Sequence, residues 1–134
     1  MKFSTRSSYG LRALVNLARN YGKQPYSLAR IAKQENISQA YLERLFARLK
    51  KANLVVSSKG VAGGYQLSHN PSKITILAVL EALEGKMAVF HCLNNQGQIL
   101  CGKKLCCPSA KVYQKVQKAM FDSLKLMTLK DLIK

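Results

Sequence analysis

Residues 38–51 read SQAYLERLFARLKK, and the fold follows from how this stretch is organised. Leu42, Leu45, Phe46 and Leu49 recur at the spacing of one helix face. Ser38 stands where a capping side chain accepts a backbone N–H that the first turn leaves unpaired. Ile37 and Leu42 occupy the two positions of a hydrophobic staple. The remaining positions, Gln39, Ala40, Glu43, Arg44, Ala47, Arg48 and Lys51, fall on the opposite face. A face of small and long basic side chains with one carboxylate suits the major groove of duplex DNA.

Upstream, the spacing predicts a helix over 3–21. Leu11, Leu14, Val15, Ala18 and Tyr21 turn inward there, while Arg12, Asn16, Arg19 and Lys23 turn outward. Gly22 and Pro25 end it. Ser27 caps a short helix, SLARIAKQEN, with Leu28, Ile31 and Ala32 inward, and a tight turn at 35–37 leads into the opening stretch. Two short helices, a tight turn and a basic-faced second helix make a helix-turn-helix pattern, with an ordinary helical hairpin as the plain alternative.

Downstream, residues 54–58 (LVVSS) and 65–67 (YQL) are strand candidates around the glycine-rich tip KGVAGG at 59–64. A hairpin directly after the recognition helix is the wing of a winged helix, and its tip, with Lys59 and Gly60, suits phosphates or a minor groove. A nucleotide-binding P-loop would need a Gly-Lys-Ser/Thr ending that opens into a helix, whereas this loop returns to a strand. Asn70-Pro71 closes the wing. Thr75 or Ser72 caps a nearly apolar helix over 76–84, interrupted by Glu81 and Glu84 and stopped by Gly85. Residues 86–107 have little periodicity, and a loop that long in a small domain is functional or disordered. Pro108-Ser109 opens a last helix with Val112, Val116, Ala119 and Met120 on one face and Lys111, Lys115, Lys118 and Lys125 away from it. A basic amphipathic helix can lie on a membrane; here packing against a second copy is the favoured reading.

The composition agrees. The 134 residues carry 22 Lys+Arg against 6 Asp+Glu, a formal charge of +16, and a chain this basic most commonly meets a polyanion. Residues 1–60 hold 12 basic and 2 acidic side chains, which places polyanion binding in that half. With 48% hydrophobic residues this is a folded chain rather than a basic tail. No stretch approaches a membrane span, and the N-terminus lacks the apolar core and cleavage site of a signal peptide, so a cytoplasmic location is expected. All 4 cysteines, Cys92, Cys101, Cys106 and Cys107, fall in the 86–107 loop. A disulfide framework would spread them, so their clustering favours a metal or redox site.

These motifs together resemble the Rrf-type bacterial transcriptional regulators represented by IscR, NsrR and CymR. The resemblance runs nearly end to end. It is carried by MKFSTRSSYGLRALVNLA, by SLARIAKQENISQAYLERLFARLKKANLV, by the wing GVAGGYQL, by ITILAVLEALEG and by the closing TLKDLI. It implies a homodimeric winged-helix transcription factor whose long C-terminal helix crosses to the other subunit. It further implies an iron–sulfur cluster, 2Fe-2S or 4Fe-4S, on Cys92, Cys101 and Cys107, with Cys106 as an alternative or fourth ligand. Where such regulators complete the coordination with a histidine or an acidic residue, this chain has Ala110 and Ser8. The fourth ligand is left open between Cys106, His91, a group of the other subunit and an external thiol.

Two other chemistries compete at the loop. Zinc uses the same residue types, but only Cys101 and Cys106 approach its usual paired spacing. A cluster-free thiol switch would draw on Lys103 and Lys104 to lower a cysteine's pKa. His69 reads as a surface residue.

The fold expected is therefore mainly α with a small β-hairpin. Residues 1–85 form a winged helix-turn-helix, 86–107 a cysteine-containing sensor loop, and 108–134 a dimerisation helix and tail. The expected DNA-facing set is Ser38, Gln39, Ala40, Tyr41, Glu43, Arg44, Arg48, Lys51, Lys59 and Gly60. Within it Gln39, Ala40, Tyr41 and Arg44 meet base edges, while Arg48 and Lys51, with Lys50, hold phosphates or face solvent, as charge runs do. Tyr41 admits a second role, its ring packing and only its hydroxyl reaching phosphate. Glu43 either selects against some bases or pairs with a basic neighbour. The function expected is regulation of a palindromic promoter, as a repressor or otherwise, by a redox- or iron-sensing homodimer. No constellation of carboxylates or histidines supports an enzyme or a basic electron carrier. An RNA-binding winged helix lacks the aromatic motif that would support it.

Overall fold

The computed structural model describes residues 3–102 and 107–133. Five helices and one hairpin follow in order: α1 (Thr5–Arg19), α2 (Leu28–Glu35), α3 (Gln39–Lys51), β1 (Val55–Ser58), β2 (Gly64–Leu67), α4 (Ile76–Glu84) and α5 (Pro108–Leu126). The first four helices begin at a hydroxyl side chain that accepts a first-turn N–H. Ser4 takes Arg6 N, Ser27 takes Arg30 N, Ser38 takes Tyr41 N and Thr75 takes Ala78 N. α5 has no side-chain cap and starts instead with Pro108, whose missing N–H costs nothing at that position.

Asn36 makes the sharp corner between α2 and α3, in the left-handed region at φ 55° and ψ 50°, where asparagine is better tolerated than most residues. The stripe of α3 then goes entirely inward, with Leu42, Leu45, Phe46 and Leu49 all buried. They meet Leu14 and Leu17 of α1, Ile31 of α2 and Val79 and Leu83 of α4 in one core. At Gly10 of α1 an added Cβ would run into the buried Leu83 side chain, so Leu83 of α4 packs directly on the α1 backbone there.

The wing is an antiparallel pair with Val55 opposite Leu67 and Ser58 opposite Gly64. A third piece of backbone joins it. Tyr26 N donates to Tyr65 O at 3.0 Å and Tyr65 N to Tyr26 O at 2.9 Å, tying the hairpin to the start of the helix-turn-helix. Gly64 permits this approach, because a Cβ there would lie 2.5 Å from the Tyr26 carbonyl oxygen. The closing TLKDLI segment returns to α4, where Ile76 N donates to Met127 O and Leu129 N to Ile74 O, and Leu129 is fully buried.

Two sequence expectations change. Asn16, placed on the outer face of α1, is 9% exposed. Its amide donates to the Arg12 carbonyl and to the Glu35 carboxylate, and these partners satisfy a polar group on the inner side. Tyr21 lies beyond the end of α1 and is exposed rather than part of the inward stripe. On α5 the inward residues are Ala110 and Gln117, while Val112 and Val116 stay 58% and 43% exposed. Among the described residues, the Val112–Val116 part of the α5 stripe is thus left open, while Met120 is half-buried.

Candidate nucleic-acid interface and cysteine loop

Because the stripe of α3 is consumed by the core, its other face is fixed outward. Ser38, Gln39, Ala40, Glu43, Arg44, Arg48 and Lys51 are all exposed, as are Lys59 and Gly60 on the wing. Lys50 Nζ donates to Ser57 Oγ at 2.8 Å, which links the end of the helix to the first wing strand. Helix and wing are therefore presented together on one buried base, in which the Phe46 and Tyr65 rings meet edge-on at 4.9 Å.

Tyr41, Arg44 and Arg48 of the DNA-facing set are also engaged within the chain. Tyr41 is half-buried with its ring edge-on to Tyr9 at 5.9 Å, and its hydroxyl lies 3.5 Å from Thr5 Oγ1. The Arg44 guanidinium sits 5.6 Å from the centre of the Tyr41 ring, a distance at which a cation is attracted to an aromatic face. Arg48 donates Nη1 to the Leu83 carbonyl at 3.2 Å, at the end of α4. One Arg48 donor is thus spent on the fold.

Sequence reasoning missed the group that holds the N-terminal end of α1. Glu84 Oε1 accepts from Ser4 N at 3.0 Å, from Ser4 Oγ at 2.5 Å and from Ser7 Oγ at 2.7 Å, while Oε2 pairs with Arg6 at 3.2 Å. Burial raises the Glu84 pKa. The two serine hydroxyls, the Ser4 N–H and the Arg6 charge more than reverse this and hold it at about 2. The available signal was a carboxylate at the last position of a helix that is apolar but for Glu81.

The cysteine loop has more order than its sequence suggested. Leu93 pairs with Ile99 as an antiparallel bridge and Leu100 N donates to Cys92 O at 2.8 Å, so Cys92 and Cys101 stand on the two arms of one short hairpin. Asn94 builds its turn by accepting from Gln96 N and Gln98 N, both at 2.9 Å. From α5, buried Gln117 accepts from Val89 N at 3.0 Å and donates to Asn94 O at 2.9 Å, while Gln114 donates to Gly97 O at 2.7 Å. Phe90 stacks on Tyr113 at 4.3 Å. None of this repeats along the chain, so no periodicity announced it.

Cys92 and Cys107 are half-buried and Cys101 is exposed. Cys107 immediately precedes α5, where the buried Ala110 offers no donor atom. Three thiols on one loop are the donor chemistry that an iron–sulfur cluster takes, so the residue types fit. Among the described residues, no three His, Cys, Asp or Glu side chains converge as a metal-holding group. Cys106, Lys103 and Lys104 lie outside the described residues.

Comparison with known proteins adds a family to this geometry. The family model for Rrf2, described as an iron-dependent transcriptional regulator, matches residues 3–134. Protein rrf2 of Nitratidesulfovibrio vulgaris is 37% identical over 134 residues, covering 100% of this chain and 88% of that protein. The solved structure of CymR, the global cysteine regulator of B. subtilis, superposes with a TM-score of 0.79 at 32% identity, covering 99% of this chain and 96% of that one. IscR of T. potens gives a TM-score of 0.78 at 33% identity, with 99% and 86% covered.

Proposed function

The chain belongs to the Rrf2 family of transcriptional regulators, which are not enzymes, and from that premise we propose that it is a homodimeric reader of a palindromic promoter governed by its cysteine loop. The observation that carries the reading is the outward face of α3. Its backing residues are fully buried, so Gln39, Ala40 and Arg44 face outward, where a partner can reach them. The charge of +16 makes that partner a polyanion. In the groove, Arg44 pairs with a guanine edge and Gln39 with an adenine edge. Lys51 and the wing residues Lys59 and Gly60 follow the backbone, and Tyr41 serves chiefly by backing Arg44. Ser38 caps the helix that enters, and Glu43 excludes bases that present only acceptors.

Arg44→Ala should weaken binding to a site selected from a randomised duplex pool by about 1–3 kcal/mol. Binding to random duplex should change far less. Equal losses on the two, measured by fluorescence anisotropy at one salt concentration, would remove base reading from Arg44.

The uncovered Val112–Val116 stripe is the surface for a second copy, which would place two α3 helices about one DNA turn apart. No helix among the described residues is long and apolar enough to cross a membrane, in keeping with a cytoplasmic regulator.

Cys92, Cys101 and Cys107 are the residues that would hold an iron–sulfur cluster, with Cys106 or His91 as further donors. Such a group, when bound, supplies a response to iron, oxidants or nitric oxide. The chain's own part is transmission. Gln117 and Gln114 fasten the loop to α5, α5 packs on α4, and α4 packs on α3. A rearranged loop thereby reaches the DNA-facing helix through contiguous packed elements.

Anaerobically purified protein should be brown and contain iron and sulfide, and the Cys92→Ala, Cys101→Ala, Cys107→Ala triple variant should be colourless. A brown triple variant would sink the ligand assignment. A colourless, iron-free parent protein would replace the cluster with thiol chemistry at the same loop.

A further inference from the structure

Where α1 meets α3 the surface forms a groove of about 360 Å³ whose lining includes Thr5, Arg6, Tyr41, Arg44 and Arg48. Three guanidinium groups share this groove, and its described lining contains no carboxylate. Each guanidinium is steadied from one side. Arg6 gives Nη2 to Glu84 at 3.2 Å and Nε to Ser4 Oγ at 3.1 Å. Arg48 gives Nη1 to the Leu83 carbonyl at 3.2 Å, and Arg44 lies against the Tyr41 ring. Those bonds leave Nη1 of Arg6 and both Nε and Nη2 of Arg48 for an outside acceptor, and the Arg6 side chain is 39% exposed. Guanidinium forks already held in place lose little freedom on gripping a tetrahedral oxyanion, which makes them strong phosphate ligands.

We propose that this groove seats one backbone phosphate of duplex DNA, with Arg6 and Arg48 as its ligands. The inference rests on the DNA-binding reading and extends it to α1, which lies outside the helix-turn-helix. A DNA phosphate fits better than a free anion because Tyr41 and Arg44 belong at once to the groove and to the base-facing helix, so a strand read by Arg44 passes over the groove. The Glu84 pair acquires a second role here, aiming Arg6 as well as anchoring α1.

The test uses the full chain and random-sequence duplex, since a phosphate contact carries no sequence preference. Arg6→Gln should flatten the plot of log affinity against log salt by about 0.9 per bound chain, with equal loss on random and selected duplexes. Arg6→Lys should restore most of the slope. In case Arg6→Gln does not fold, the wild-type Arg6 Nε–H resonance provides an independent readout, and it should shift when duplex is added. A folded Arg6→Gln variant with an unchanged slope overturns the proposal, as does an Arg6 resonance that duplex leaves in place. A resonance moved by inorganic phosphate but not by duplex also overturns it, in favour of a free-anion site. Wild-type protein that binds no duplex at all defeats the DNA reading itself, whereas wild-type binding with an unaltered Arg6→Gln slope defeats the phosphate seat alone.

Discussion

Replacing Phe46 by alanine is expected to destabilise the fold by about 3–5 kcal/mol, the usual cost of emptying a fully buried aromatic site. Phe46 heads the fully buried side chains by size among the described residues, and its ring meets Tyr65 of the wing edge-on at 4.9 Å. Its removal therefore loses apolar burial, leaves a cavity under α3 and deprives the wing of the aromatic contact that sets it against the helix. Because domains of this size are stable by only about 5–15 kcal/mol, much of the margin would go. Urea unfolding should show the midpoint falling with the slope unchanged. Phe46→Leu, which refills most of the volume, should cost roughly half as much or less. A loss under about 1 kcal/mol for alanine would mean that the surrounding leucines collapse into the space, and that the ring does not hold helix and wing in register.

What the sequence disclosed and what it concealed divide by the range of the interaction. The α3 stripe, the hydroxyl caps, the corner at Asn36 and the hairpin tip depend on residues a few places apart, so spacing reveals them. Asn16 was misplaced because its partner, Glu35, belongs to another helix and converts an outward polar position into a satisfied inward one. The Ser4–Glu84 bond spans 80 residues, and the Gln117 bonds to the loop join side chain to irregular backbone. No pattern of residue types encodes either. At the candidate interface, sequence identified which side chains face outward, since the helix face dictates that. It did not show that Arg48 is partly committed to Leu83 or that Tyr41 leans on Tyr9. At the loop it identified the thiols and put Cys107 just before the helix that Pro108 opens, whereas the placing of Cys92 and Cys101 on two hairpin arms follows from the Asn94 turn.

Glu84→Gln should cost about 2 kcal/mol at pH 7, in the range for hydrogen bonds to a charged group, and that cost should disappear in acid. The Glu84 pKa is lowered from 4.5 to about 2 in the folded chain. A group with a depressed folded pKa binds fewer protons folded than unfolded, so its stabilisation is complete above its unfolded pKa and fades as pH falls through the folded value. Wild-type stability should therefore decline between pH of about 4.5 and about 2, while the Glu84→Gln curve stays flatter there and the two converge at the acid end. With only 6 carboxylates in the chain, this limb is unusually open to assignment. Asp122 also has a lowered pKa, chiefly through its bond to Lys118, but that pair is exposed and its screening leaves little effect on folding. Asp122→Asn should accordingly follow the wild-type curve. Parallel wild-type and Glu84→Gln curves through this range would show that the carboxylate is not what secures α1 to α4.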